Sequence, residues 1–408
     1  MKHPRSCLCW TLLACSLSAV APAAAGEPGQ DLTIEALTFG PGDHPFFKFG
    51  HNAILVRPQA GQGLVYNFGT FNFDSPALIL KFLGGRFKYW LSVSLEDDTL
   101  EAYAGANRSI LAQELDLSAD QKWALARALR ENAQPENRAY LYDYFYDNCS
   151  TRVRDAIDRV VEGRVRAAGQ AQVGMTFREH ALRMTADVWL EYVGLYLGLG
   201  RSADIPINRW HESFLPDRLS ELLRLVRVPD GAKEKNLVKF ERVIHEAKRP
   251  PVPAVPPKRT PYFLALGFGL GAVLLLAGHL GRRHAGARIA LGCIAFLLGT
   301  VAGLIGLIMT CLWAFTDHRV AYANANILQF PPWLIAFMVY GIRVALGRAR
   351  SIARARILAL CAVVICVAGI ACKALPGLNQ DNLPFIWLCV PIWVGLWLGL
   401  RRLASAGV

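Results

Sequence analysis

Residues 289–315 read IALGCIAFLLGTVAGLIGLIMTCLWAF, twenty-seven residues without one charged side chain. In a helix, about 20 apolar residues cross the hydrocarbon core of a bilayer, so this stretch is expected to span a membrane. Four further apolar runs surround it, at about 262–280, 327–345, 357–375 and 384–400, the third interrupted by Pro331-Pro332. The loops set an orientation. Arg282, Arg283 and Arg288 lie between the first two runs. Arg343, Arg348, Arg350, Arg354 and Arg356 lie between the third and fourth, and Arg401 and Arg402 follow the fifth. The alternate loops carry only Arg319 and Lys373. By the positive-inside rule the Arg-rich loops and the C-terminus face the cytoplasm, and the first run starts outside.

The chain is 53% hydrophobic and 19% charged, with a net charge of +12 over 408 residues. Ten of those charges belong to residues 262–408 and two to Lys2 and Arg5, so the region between is nearly neutral. A nucleic-acid partner would require a basic face on the soluble part, and none is expected. The N-terminus, MKHPRSCLCWTLLACSLSAVAPAAAGE, has a basic start, a short apolar stretch from Leu8 to Val20 and the small-residue site Ala23-Ala24-Ala25. It reads as a signal peptide over 1–25. Leu12-Leu13-Ala14-Cys15 offers a lipoprotein cleavage site instead, but the apolar stretch before it is very short. Both the signal peptide and the Arg pattern place residues 26–228 outside the cytoplasm.

That outer region is mixed in pattern. LTIEALTF (32–39) and NAILVR (52–57) read as strands, and LVYNFGTFNF returns after the turn QAGQG as a hairpin partner. LDLSADQKWALARALREN is an amphipathic helix with Ser118 as N-cap. YLYDYFY (140–146) reads as extended, TRVRDAIDRVVEG as a helix ending at Gly163, and 176–227 as mostly helical. Strands first and helices after imply an α+β domain. Residues 229–261 are polar and Lys-rich, with six prolines from Pro250 to Pro261, and read as a stiff linker.

Of ten cysteines, three lie in the signal segment and six in or beside the apolar runs, where small apolar packing is the plain reading. Cys149 alone remains in the mature outer domain. A single cysteine in an exported domain stands out. Its helix begins just after it, so the helix N-terminus and Arg152 are expected to favour the thiolate and make a nucleophile. A buried structural thiol is the alternative, against which the polar neighbours Asp147, Asn148, Ser150 and Thr151 argue. The base is sought among His44, His51, His180, His211 and His245. His51, at a strand start in FGHNAILV beside Gly50, is preferred, with His180 second. His44 is expected on the surface, His211 at a helix start, and His245 on a solvated helix. The hairpin register brings Asn67 or Thr70 beside His51, and Asn67 is the expected orienting group. Asn148 and Arg152 are expected to contact substrate. In TDHRVAYANANILQFPPW, Asp317, His318, Asn324 and Asn326 fall at the outer end of the second and third runs, as a headgroup-binding or domain-docking patch or as a solvated loop.

FGHNAILV, YNFGTFNF, DNCSTRVRDAI and ADIPINRWHESFLPDRL, in that order over about residues 30–225, resemble the Lnb-type periplasmic domain, named after a lipoprotein N-acyltransferase of the lyso-form type. The resemblance implies transfer of an acyl chain from the glycerol of a diacylglyceryl lipoprotein to its N-terminal amine. The order His before Cys is also similar to permuted papain-type folds such as lecithin–retinol acyltransferases. On those likenesses the outer domain is papain-like, Cys149 is the nucleophile and His51 the base. The partners are then membrane lipids and lipoproteins, and no soluble cofactor or metal is needed. A peptidoglycan cysteine peptidase or amidase, and a non-catalytic envelope assembly factor, remain alternatives.

Overall fold

The structure is a computed structural model, and it describes residues 27–71, 84–375 and 377–405; the signal segment lies outside the described residues. β1 (Leu32–Phe39) and β2 (His51–Pro58) pair antiparallel along their whole length, from Leu32 opposite Pro58 to Phe39 opposite His51. β3 (Leu64–Thr70), β4 (Lys88–Leu95), β5 (Ile110–Leu115) and β6 (Ala139–Leu141) follow along the chain. Two short antiparallel pairs lie outside the main sheet, β7 (Gln172–Thr176) with β8 (Pro206–Asn208) and β9 (Arg227–Asp230) with β10 (Lys233–Asn236). β11 (Val238–His245) completes a seven-stranded antiparallel sheet in the order β11-β5-β1-β2-β3-β4-β6.

Alternation along these strands builds two cores. Ile34, Ala36, Ile54, Val56, Tyr66 and Phe68 face one side, and Leu37, Phe39, Ala53, Leu55, Val65 and Ile110 the other. Each of the Val, Leu, Ile and Phe side chains among them, fully buried, contributes about 1.5–3 kcal/mol. The outer-domain helices are α1 (Glu96–Gly105), α2 (Ala119–Asn132), α3 (Cys149–Val160), α4 (Arg164–Ala168), α5 (Phe177–Met184), α6 (Trp189–Gly198), α7 (Arg209–Glu212) and α8 (Pro216–Leu225). α2, α3 and α8 supply Leu125, Val153, Ile157, Leu219 and Leu222 to the first core. α1 covers the second with Leu100, Tyr103 and Ala104. Ser118 caps α2 in a reciprocal pair with Gln121, as its position implies.

The segment 229–261 is not a linker throughout. The hairpin β9–β10 and the edge strand β11 occupy about half of it, and His245 sits opposite Ile110 on that strand instead of on a solvated helix. A sheet edge protected by Lys239, Glu241 and Arg242 has the composition of a solvated segment, which is why its strand character is hard to read. The true connection is the proline-bearing stretch 246–259.

Five helical segments long and apolar enough to span a membrane follow: Thr260–Leu280, Ala285–Phe315, Ala325–Ala345, Ala349–Cys372 and Leu383–Ala404. The first, second, fourth and fifth are the continuous helices α9, α10, α12 and α13, taken with α11 (Phe337–Ala345) in chain order. The third is composite: 3-10 turns at Ala325–Leu328 and Pro332–Ala336 precede α11, because Pro331 and Pro332 cannot sustain a regular helix. α9 and α13 touch backbone to backbone, with Gly267, Gly271 and Gly278 set against the main chain of α13, so any Cβ there would collide. Small residues at such a contact are the usual means of packing helices in lipid.

The outer domain is docked on this bundle through α6. The last carbonyls of a helix have no partner within it. Here the asparagines of the loop between the second and third spans supply the donors. Asn324 Nδ2 donates to Leu197 O (2.6 Å) and Gly198 O (3.2 Å), and Asn326 Nδ2 to Tyr196 O (3.3 Å) and Leu197 O (3.1 Å). Gln380 Nε2 bridges Asn324 Oδ1 (3.1 Å) and Leu199 O (3.4 Å), and Gly200 N donates to Val320 O (2.7 Å). Of the readings open for Asn324 and Asn326, the structure gives domain docking. Replacing Asn326 by Leu removes its bonds to the Tyr196 and Leu197 carbonyls, which keep Arg178 Nη1 (2.9 Å) and Asn324 Nδ2 (2.6 Å) as donors, so each lost bond costs about 0.5–1.5 kcal/mol. The expected outcome is an earlier thermal unfolding transition in detergent and faster proteolysis within 246–259; an unchanged melting curve would show the network to be dispensable.

Candidate active site

Asn148 fixes the head of α3. Its Oδ1 accepts from Thr151 N (2.9 Å), the Thr151 hydroxyl accepts from Asn148 N (2.8 Å), and its Nδ2 donates to Tyr144 O (2.9 Å) and Phe214 O (3.0 Å). A cap of this kind is worth about 1 kcal/mol. It also leaves Asn148 no free polar atom for substrate, so this residue positions its neighbour. Cys149 is the first residue of α3, packed over β2 and β3. The backbone N–H groups of Asn52 and Ser150 both point at its sulfur.

His51 opens β2 next to Gly50, whose φ of +83° and approach to Phe39 O leave no room for a Cβ. Its ring stacks on Tyr103 (6.0 Å) and Phe39 (5.9 Å), and Nε2 lies 3.4 Å from Asn67 Oδ1. The Asn67 amide is itself oriented, with Nδ2 donating to Ser94 Oγ (3.0 Å) and Val65 O (3.3 Å). Its Oδ1 can therefore only accept. That places the imidazole proton on Nε2 and the lone pair on Nδ1. The β3 bulge between Asn67 and Thr70 turns this stretch toward Cys149.

The electrostatics differ from the expectation of a depressed thiol. Burial pushes the Cys149 thiol up, and the Asn52 and Ser150 hydrogen bonds and the Arg108 cation only oppose that rise. Burial, followed by Arg108, pushes His51 down to about 4, with the Asn67 hydrogen bond pulling the other way. At neutral pH the pair is a neutral thiol and a neutral imidazole. The cation that acts on both is Arg108, not Arg152. Arg152 is paired with Asp147 (2.8 Å) and lies over Tyr140 (4.0 Å). Arg108, just before β5, carries no motif that would single it out in the sequence.

Cys149, His51, Asn67 and Arg108 line one cavity of about 720 Å³. Its walls are mostly aromatic and aliphatic, including Phe46, Phe71, Tyr142, Leu199 and Phe214, and it extends to Leu312, His318 and Val320 of the membrane region. His318, stacked on Tyr144 (6.1 Å), reaches this cavity, whereas Asp317 pairs with Arg86 outside it. The other histidines lie elsewhere. His180 is fully buried between Arg183 Nε and the Glu212 carboxylate, each 3.0 Å away, so it is not available as the base. His211 bonds Asn208 (2.7 Å) at the start of α7, and His44 caps the exposed turn at Pro45.

The fold and site thus define an α+β domain docked on five apolar helices, with a thiol and an imidazole facing a cavity shared by both parts. Residues 27–183 match the family model of the Lnb N-terminal periplasmic domain, and residues 262–396 that of the Lnb transmembrane domain. The chain belongs to the Lnb family, as a membrane protein with a periplasmic domain. No curated protein and no solved structure matches it. The match to the periplasmic domain ends before Phe214 and Pro216, which nonetheless wall the cavity.

The thiol can be read directly. Iodoacetamide should label Cys149 of the native protein with a pH midpoint above that of the same cysteine in an unfolded peptide. Arg108→Gln should move the midpoint higher still, since a cation favours the thiolate. A midpoint at or below the peptide's would mean that the sulfur is solvated and the cavity open.

Proposed function

We propose that Cys149 accepts an acyl chain from a membrane glycerolipid as a thioester and passes it to an amine, with His51 as base. The observation that carries this reading is the mostly apolar cavity running from Cys149 and His51 to Leu312 at the top of the second span. A pocket of this volume buries a ligand of lipid-chain size, and its lining reaches Leu312 at the end of the second span. A site for peptidoglycan would call for a polar cleft. The named family supports the same class, since the resemblance implies acyl transfer onto lipoproteins.

The chemistry follows from the proton positions. As the Cys149 sulfur attacks the ester carbonyl, His51 Nδ1 takes the thiol proton, so a C–S bond forms and the imidazolium is balanced by the negative oxygen of the tetrahedral intermediate. Collapse breaks the acyl C–O bond, and the same proton passes to the departing glycerol oxygen, giving a lyso-lipid. The acceptor amine then attacks the thioester, its proton goes to His51, the C–S bond breaks and the thiol is restored. Splitting the transfer in this way replaces one difficult step by two easier ones. Because both partners start neutral, no ion pair has to be kept in an apolar cavity. The thiolate forms only as the carbonyl arrives. Asn67 holds the tautomer that keeps Nδ1 basic.

Four outcomes test this. Wild-type protein in donor vesicles should carry a hydroxylamine-labile adduct of one fatty acyl mass on Cys149, and Cys149→Ser should hold it as an oxygen ester. His51→Ala should slow adduct formation about 10²–10⁴-fold. With His51 at about 4 in the free protein, the acid limb of the acylation rate should fall near that pH and not near the ordinary imidazole value of about 6.5. A peptidyl mass on position 149, or no adduct in any variant, would sink the acyl-transfer reading.

We further infer an inner-membrane location with the Arg-rich loops on the cytoplasmic side. A reporter active only outside the cytoplasm should be active when fused near Pro257 and silent after Arg283 and Arg402; activity after Arg402 would overturn this topology.

A further inference from the structure

Arg108 is a buried cation that forms no ion pair among the described residues. It is 4% exposed, its Nε donates to Gly40 O (2.8 Å), and its guanidinium lies over Tyr103 (4.6 Å) and Phe47 (5.3 Å). Its Nη2 has no hydrogen-bond partner among the described residues. The other buried arginines of the outer domain are paired: Arg178 with Asp204 (2.7 Å), Arg154 with Asp155 (2.8 Å) and Arg183 with Asp217 (3.0 Å). Around Arg108, Asp43 is paired with Arg249 (3.3 Å), and Asp98, on the cavity wall, is exposed and forms no ion pair with it among the described residues. Arg249 adds repulsion of like charge. A buried charge without a charged partner is costly, and a guanidinium left in that state on a cavity wall is suited to an anion brought by a ligand.

We propose that Arg108 receives the phosphate of a glycerophospholipid, so that the acyl donor is a phospholipid and not an uncharged glyceride. This rests on the reading of Cys149 as an acyl acceptor. The planar guanidinium fork matches phosphate oxygens. A phospholipid carries its phosphate a few bonds from its acyl esters, as a donor bridging Arg108 and Cys149 requires. The bond broken is the acyl C–O bond and the bond formed is C–S. The thiol proton ends on the glycerol oxygen through His51, and the phosphate charge is unchanged throughout.

The test is a double comparison in full-length protein. Acyl-Cys149 formation is measured in single turnover from phosphatidylglycerol vesicles and from diacylglycerol of the same chains in an uncharged detergent, for wild type, Arg108→Gln and Arg108→Lys. Removing Arg108 also alters the thiol and imidazole, so the readout is the ratio of the two donors, in which that shared effect cancels. The ratio should fall at least about tenfold in the Gln variant and recover in part in the Lys variant. An unchanged ratio overturns the proposal and leaves Arg108 acting on the reacting carbonyl alone. A second arm needs no turnover. Short-chain dihexanoyl phosphatidylglycerol should protect Cys149 of wild type, but not of Arg108→Gln, from iodoacetamide. Inorganic phosphate at the same concentration should protect weakly, since it lacks the acyl chains; equal protection by phosphate would overturn the lipid assignment in favour of a free anion. Protection without any acyl adduct would uphold the subsite and sink the acyl-transfer reading, whereas an adduct with no phospholipid-specific protection would do the reverse.

Discussion

Asn148 ties three separate pieces of chain to one point. Its side chain caps α3, and it also holds the carbonyl of Tyr144 before the helix and that of Phe214 from the far end of the domain. Everything the cavity needs hangs on that junction. The cap sets Cys149 at a helix start over β2, where the Asn52 amide meets its sulfur. The Phe214 bond closes the cavity wall from a segment more than sixty residues later in the chain. A helix start packed on a strand start cannot slide, because one residue of slip in β2 would send His51 to the opposite face of the sheet. The strict pairing of β1 with β2, running to Phe39 opposite His51, removes that freedom.

Within this frame, burial decides the charge states. A thiol at a helix N-terminus near a guanidinium would be ionised if water reached it, but desolvation is the largest influence on both Cys149 and His51 and drives each toward its neutral form. In the proposed reaction the helix terminus and Arg108 lower the cost of ionisation at the moment of attack without producing a standing thiolate. A neutral resting pair in a greasy cavity is also less open to oxidation, which favours thiolates.

Much of this could be read from the sequence where a pattern repeats. β1 matches LTIEALTF residue for residue, Ser118 caps its helix as its spacing implies, and five apolar runs give five helices. The turn QAGQG suggests a hairpin that brings Asn67 or Thr70 beside His51; with Ile54 opposite Tyr66, the structure has Asn67 reach His51 diagonally across the two strands (3.4 Å). What escaped has a common cause. β11 was hidden because an edge strand facing water is charged, so its alternation resembles that of a tether. Arg108 was hidden because one arginine before one strand has no period and no motif, and only its burial without an ion pair among the described residues distinguishes it. Arg152 was the more visible cation, one turn from the thiol, but Asp147 and the Tyr140 ring occupy it. The thiol pKa was expected to fall because helix ends and cations are legible in sequence, whereas the desolvation that outweighs them is not.

The docking of the two halves explains why one chain carries both. The asparagine loop satisfies the end of α6, while Leu312, His318 and Val320, around the end of the second span, complete the wall of the cavity. The same contact that fixes the outer domain's orientation also joins its cavity to the bundle. Rigid docking suits a reaction whose substrate moves in two dimensions. In the proposed reaction a lipid chain has to leave the bilayer only as far as the cavity, and the encounter becomes a surface event at high effective concentration. A flexible tether would bring the domain near the membrane but leave the cavity to point anywhere. The hydrogen bonds to α6 are therefore as much a part of the proposed mechanism as the imidazole, because they hold the membrane-side residues of the cavity wall against the outer domain.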